Sequence, residues 1–480
     1  MCFMKNNLLE NFIVYLFNSK TIFYLILIVA TLIVIPNIDR ESLWLDEIFS
    51  ATASLKTSSL DLMFSKYISR DGNPPLYYVL LFYWGKIFGS GDFEIRLLSY
   101  VVTLLGLILS YLLIKKYFSR KLAILFLFLS AFTPGVLYYA QEARMYSLLY
   151  ALSSLASIIF LIFLKRIRGS QKIENMLLIY YFLVGVLICY THHFGSLIIF
   201  LLSFVTIIYS LVLKKNRSAI TILVVSIFIG ILGMIWLIFQ FYFVDMGNHI
   251  KQISWDRNNL KNIIFNFSTI FAVNKFGVAA LLILLAPILR NFNYFLILVK
   301  KYSIILLPVL LLFLTSYLIS IMIFTISERY LIVTVPLILL FISFIFNELF
   351  DNNKIFVFLY IIGLLILSVF GNYTYKKQNW RDASKYIQNK IYFSPNSKVP
   401  IKSLLDGSFD RLMFVSYYFM ESKYVYSPDG PKIQDNCDLI YVDGHTNEEE
   451  IKRTLVEYNI NIPYEILNFN KVFVVIKKRN

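Results

Sequence analysis

Long, unbroken runs of apolar residues recur along nearly the whole first three quarters of this chain, and they constrain its fold more than any other feature. A helix needs about 20 consecutive apolar residues to cross a bilayer. Runs of that kind lie near 21–38, 97–114, 122–140, 145–164, 176–191, 195–213, 219–243, 276–290, 302–325, 330–347 and 355–371. They are not alternating strands of the kind that close a membrane barrel. With 58% hydrophobic and 15% charged residues, a soluble globular protein is excluded. So is a disordered one, because apolar and aromatic side chains abound. The expectation is an all-α polytopic membrane bundle of about eleven spans. The first run follows Lys5 and Lys20 without a small-residue cleavage site, so it reads as a retained anchor.

One further apolar run, Pro74 to Phe88, is ambiguous, and the charges decide it. Left outside the membrane, it gives connections rich in Lys and Arg on one side: Lys115, Lys116, Arg120 and Lys121, then Lys165, Arg166, Arg168 and Lys172, then Lys214, Lys215 and Arg217. The first loop of the opposite side, 39–96, holds eight acids and six bases. This is the positive-inside asymmetry, and it sets the N-terminus in the cytoplasm. Pro74–Phe88 therefore reads as a juxtamembrane helix at the outer interface. The net charge of +16 has the same origin, so nucleic acid is not an expected partner.

After Phe370 the composition turns mixed. Residues 372–480 hold short β-type runs at Lys423–Tyr426, Asp438–Val442 and Lys471–Ile476, with a helix after Trp380. A small extracytoplasmic α/β domain is expected there, behind a transmembrane domain of 1–371. Cys2, Cys189 and Cys437 form neither a disulfide framework nor a metal-type spacing, and no phosphate-binding glycine loop is present.

This topology gathers polar residues at one rim. They are Asp46 and Glu47, then Arg70, Asp71 and Asn73, then Arg96, then Glu142 and Arg144, then His192 and His193, then Glu328 and Arg329. Ionisable groups at a membrane boundary are costly and are functional candidates by default. Each also has a plainer reading: Arg96 snorkelling, the two histidines as interfacial polar residues, Glu142–Arg144 and Glu328–Arg329 as structural pairs. Together, a carboxylate suited to general-base work and several arginines suited to a phosphate point to group transfer from a lipid phosphate.

The ordered set W-x-D-E (Trp44–Glu47), D-G-N-P-P-L-Y-Y (Asp71–Tyr78), F-G-x6-R-L-x-S (Phe88–Ser99), Q-E-A-R-M-Y (Gln141–Tyr146), T-H-H and E-R-Y resembles the C-type-fold integral-membrane glycosyltransferases. The family-39-like branch, related to protein O-mannosyltransferases and lipid A aminoarabinose transferases, is the most similar. The resemblance covers roughly residues 1–345. It departs at Asn73, where the family usually has His or Lys. It implies a plasma-membrane enzyme that moves a hexosyl or pentosyl group from a polyprenyl-phosphate sugar to a lipid, glycan or protein acceptor, with inversion. Asp46 would be the catalytic aspartate and Glu47 its neighbour. Arg144 and Arg329 would lie near the donor phosphate, with Glu142, His192, His193, Arg96 and Glu328 as further substrate-binding candidates. No cofactor is certain, and a divalent metal is left open. The connection 244–275, with His249, Trp255 and Asp256, is expected as a lid. A transporter of lipid-linked sugars and a non-catalytic envelope-assembly scaffold are the competing readings.

Overall fold

The computed structural model describes residues 15, 19–243, 267–268, 270–271, 292–322, 327–374, 377–390, 439–443, 447–457 and 463–478. The expected lid and the 276–290 span lie outside the described residues, apart from those few near 270, as does the Lys423–Tyr426 run. Helices follow in the order α1 (Thr21–Val34), α2 (Leu45–Leu55), α3 (Leu60–Lys66), α4 (Leu76–Phe88), α5 (Asp92–Tyr117), α6 (Arg120–Ala131), α7 (Pro134–Ala140), α8 (Tyr146–Arg168) and α9 (Asn175–Cys189). They continue with α10 (His193–Val212), α11 (Asn216–Phe243), α12 (Phe292–Tyr302), α13 (Leu307–Met322), α14 (Val335–Thr374) and α15 (Trp380–Lys390). The chain ends on β1 (Leu439–Asp443), α16 (Glu448–Glu457), β2 (Tyr464–Asn468) and β3 (Phe473–Lys477).

Each expected span that falls on described residues coincides with an apolar helix. Five of these are long and apolar enough to cross a membrane, or seven when each of two bent pairs counts as one span. The bends have local causes. Run 122–140 breaks by 65° between α6 and α7. Thr133, at φ −72° and ψ 120°, is held extended by Pro134, whose ring disfavours a helical residue before it. The break frees the Phe132 carbonyl, and the Ser368 hydroxyl donates to it. Such repair is what a membrane interior demands of an interrupted helix. A second bend of 62° precedes α13, which carries Pro308 in its first turn.

The two expected spans 330–347 and 355–371 fall in a single hydrogen-bonded run, α14, of 40 residues. The rings of Phe346 and Tyr360 nevertheless lie 5.0 Å apart. A straight helix would separate them by about 21 Å along its axis. The chain therefore turns back between them, and its two halves are the apolar helices Arg329–Phe350 and Val357–Gly371. Helix α4, at 13 residues, is about 20 Å long, short of the roughly 30 Å of bilayer hydrocarbon. That suits the interfacial placement expected for it.

The described contacts divide the chain into two compact units. The first comprises 1–36, 59–80 and 96–374 and contains the membrane helices. Among the described residues α8 is buried over 94% of its apolar window, whereas α11 is buried over only 17%. A side chain at Gly106 of α5 would stand 2.6 Å from the Ala151 Cβ of α8, so these helices meet nearly backbone to backbone.

The second unit comprises 37–58, 81–95 and 375–480. Residues 37–58 and 81–95 thus group with the C-terminal region. Its sheet is antiparallel in the order β1-β3-β2, and β2 is a strand the sequence reading did not include. Ile451 and Leu455 of α16 pack on Phe473 and Val475 of β3, with Tyr464 and Ile466 alongside. The β2–β3 hairpin turns through Asn470 and Lys471, both at positive φ (45° and 69°), as a two-residue turn matched to strand twist requires.

Candidate functional site

In the first unit, three loops and one helix start bring the predicted residues together. The turn 141–145 enters α8. Its Glu142 carbonyl accepts from the Ser99 hydroxyl of α5 at 2.6 Å, and Ser99 in turn meets the Tyr77 hydroxyl at 2.8 Å. The backbone within the turn is closed by Arg144 N donating to Glu142 O at 2.7 Å. These bonds fix the direction in which Arg144 leaves the backbone. Its Nη1 donates to the Tyr78 hydroxyl of α4 at 3.1 Å, and Tyr78 donates to Asp71 Oδ2 at 2.5 Å. Asn73 Nδ2 donates to Asp71 Oδ1 at 3.0 Å. The asparagine that departs from the family pattern thus directs its amide to Asp71. Burial raises the Asp71 carboxyl above the ordinary carboxylate range, while Arg144, Tyr78 and Asn73 pull it back down.

His192 is the N-cap of α10, where its Nδ1 accepts from Phe194 N at 3.1 Å. With Nδ1 an acceptor, the proton of the neutral ring sits on Nε2. Burial holds the ring far below the usual histidine range. The charges of His193, Arg144 and Arg329 all push it the same way. His192 therefore stays neutral in a region of positive potential set up by two arginines. Aromatic rings enclose it, with Tyr330 at 5.0 Å and Tyr146 at 6.1 Å between centroids. Arg329 lies over those same two rings, 5.8 Å from Tyr146 and 5.9 Å from Tyr330. The 3-10 segment Glu328–Thr334 that carries it packs on α8 and α10. His193 Nε2 donates to Gly72 O at 2.8 Å, tying α10 to the Asp71–Asn73 segment.

Arg144, Arg329, His192 and His193 thus converge, and Asp71 and Tyr78 join them. The remaining predicted residues of this unit are Arg96 and Glu142, each 1% exposed. Arg96 does not reach for water as a snorkelling side chain would. The Glu328 side chain lies outside the described residues. Asp46 and Glu47 belong to the second unit, at the second and third positions of α2. Asp46 is half-buried in the first turn of α2. Glu47 is fully buried. Its Oε2 accepts from Trp44 N at 3.3 Å and pairs with Lys377 Nζ at 2.9 Å. Its carboxylate is therefore committed to a cap and an ion pair.

Sequence reasoning counted Asp71 among the rim candidates without a specific role and gave none to Tyr78 or Lys377. Asp71 and Tyr78 stood inside a quoted motif, but Tyr78 is one of 34 tyrosines and nothing local sets it apart. Among the described residues, no group of three or more His, Cys, Asp or Glu side chains is placed to hold a metal ion.

Tyr78→Phe is expected to leave Asp71 and Arg144 each short of one buried partner, at a cost of about 1–3 kcal/mol. A lower melting temperature in detergent is the expected result. An unchanged melting temperature would remove the bridge from the site.

No protein-family profile and no curated protein matches the sequence. Solved structures do match the fold. ArnT from Cupriavidus metallidurans in the apo state aligns with a TM-score of 0.61 over 95% of this chain and 98% of its own, at 13% identity. The same protein bound to undecaprenyl phosphate aligns with the same score and coverage at 12% identity. At such identity the likeness is one of fold, and that fold is the C-type architecture of integral-membrane glycosyltransferases that the ordered motifs resemble.

Proposed function

We propose that this protein is a glycosyltransferase that moves a sugar from a polyprenyl-phosphate donor to a lipid, glycan or protein acceptor at the outer face of the membrane. The observation that carries the reading is the convergence of Arg144 and Arg329 on one buried, aromatic-walled position around a neutral His192. Two guanidinium groups in a low-dielectric setting suit a phosphate that gains charge as it leaves. The fold supports the same reading, since ArnT has been crystallised with undecaprenyl phosphate bound.

The acceptor hydroxyl or amine attacks the anomeric carbon, the bond from that carbon to the phosphate oxygen breaks, and its electrons go to the phosphate. Asp46 takes the acceptor proton, and the anomeric centre inverts in the single displacement. Arg144 and Arg329 stabilise the departing phosphate. His192 offers its Nε2 proton as a neutral donor, while Glu142, His193, Arg96 and Glu328 complete the substrate surroundings. The eleven-span plan, with the N-terminus cytoplasmic and the C-terminal region outside, belongs to this proposal and rests on the basic inner connections.

The test is a panel of synthetic undecaprenyl-phosphate hexoses and pentoses supplied to the purified protein in vesicles, with release of undecaprenyl phosphate as the readout. Release from at least one donor is expected. Movement of donor across the bilayer with no release would overturn the enzyme reading in favour of a transporter.

A further inference from the structure

We infer that Lys377 is a positioning residue for the carboxylate pair of α2, and that the tip of the β2–β3 hairpin holds it in place. The inference rests on the reading of Asp46 as base and concerns what prepares that base. Lys377 and Glu47 pair at 2.9 Å with side chains 7% and 0% exposed, so this is no surface lysine passing by an acid. The backbone of Lys377 is fixed on both sides. Its N–H donates to Glu41 Oε2 at 3.3 Å, and its carbonyl accepts from Asn470 Nδ2 at 2.6 Å. Asn470 sits in the two-residue turn described above, and its own carbonyl accepts from Asn379 N at 3.3 Å.

Four residues on, Arg381 completes the strap. It pairs with Asp92 at 2.6 Å and donates to the carbonyls of Asp39 and Glu41, while its own N–H donates to the Ser42 hydroxyl. The residues before α2 are thus gripped by the segment 377–381.

The chemical consequence falls on Asp46. Two adjacent carboxylates in one helical turn disfavour each other's charged form. Lys377 offsets the charge of Glu47. It also keeps Glu47 Oε2 against Trp44 N, which holds the first turn of α2 closed. Offset in this way, Glu47 disfavours the charge of Asp46 less than a bare carboxylate would. Among the described residues, charged groups near the strap include Glu41, whose Oε1 lies 3.6 Å from Arg40 Nε, the Arg381–Asp92 pair, and Asp382, which accepts from Asn379 Nδ2 at 2.7 Å.

The experiment reads the Asp46 carboxyl directly, so it stands whether or not a sugar is transferred. Full-length protein in nanodiscs is treated with dicyclohexylcarbodiimide, which attacks protonated carboxyl groups, across a range of pH. Labelling of Asp46 is then followed by mass spectrometry. In Lys377→Met the pH of half-labelling is expected to rise by about one unit, the effect of a like charge at close range. Lys377→Arg is expected to leave it in place, and Glu47→Gln/Lys377→Met to restore it. An unmoved profile in Lys377→Met, or a double variant displaced as far as the single one, overturns the proposal. Should Lys377→Met fail to fold, Glu47→Gln alone decides. With the ammonium kept and its partner neutral, the Asp46 profile moves down, and a static profile overturns the proposal. Failure of the base reading shows separately, as undiminished transfer by Asp46→Asn.

Discussion

Asp46→Asn is expected to lower the rate of sugar transfer by about 10²–10⁴-fold, the range over which a positioned general base contributes. Binding of undecaprenyl phosphate should change little. The substitution keeps the size of the side chain and its place in the first turn of α2, and replaces the anionic acceptor by a neutral amide that cannot take a proton. An acceptor hydroxyl must then attack without losing its proton to the protein. Transfer is measured as release of undecaprenyl phosphate at saturating donor and acceptor, and binding by competition with a fluorescent polyprenyl phosphate. Wild-type transfer in Asp46→Asn would remove Asp46 as the base. A loss confined to binding would move its role to the donor.

The second large effect belongs to the arginines. Each of Arg144→Ala and Arg329→Ala is expected to cost about 10²–10³-fold in kcat/KM for the donor, as removal of one preorganised charge partner does elsewhere. The double variant should lose less than the product of the two. Both charges act on the same position beside His192, so their contributions are coupled. The two single variants should nevertheless differ in kind. Arg144 is held by Tyr78 and Arg329 lies on two tyrosine rings, so Lys at 144 keeps one donor to Tyr78 whereas Lys at 329 loses the stacked plane. A steady-state comparison of the five variants with the wild type decides it. A change in acceptor KM with donor kinetics intact would detach these residues from the phosphate.

Much of this could be read from the sequence because bilayers impose a simple rule. Apolar runs of the needed length had to become helices, and among the described residues they did, as in Asp92–Tyr117 and Arg329–Phe350. Counting Lys and Arg led to an interfacial place for Leu76–Phe88, and its 13-residue length agrees with a helix that does not cross. The meeting of Arg144, Arg329, His192 and His193 was anticipated from their common position at the ends of spans. The unanticipated parts share a physical cause. Tyr78 bridges Asp71 and Arg144 across 66 positions from the arginine, and Lys377 meets Glu47 across 330. Such pairings are made by tertiary structure and leave no periodicity or local motif behind. The break at Thr133 was written in Pro134, which a run-length reading passes over. The short strand Tyr464–Asn468 is an edge strand with mixed burial, so its alternation was too brief to register.

The distance in sequence between Glu47 and Lys377 also has a consequence for biosynthesis. The loop bearing Glu47 emerges from the translocon early, yet its counter-charge is encoded 330 residues later. At the ribosome's pace of about 5–20 residues per second, the acid waits roughly 20–60 s for its ammonium partner. During that interval the nascent chain carries an acid that has not yet met its partner. Completion of α2, on this account, is among the last events of assembly, and a polypeptide truncated before Lys377 would be inserted but never armed.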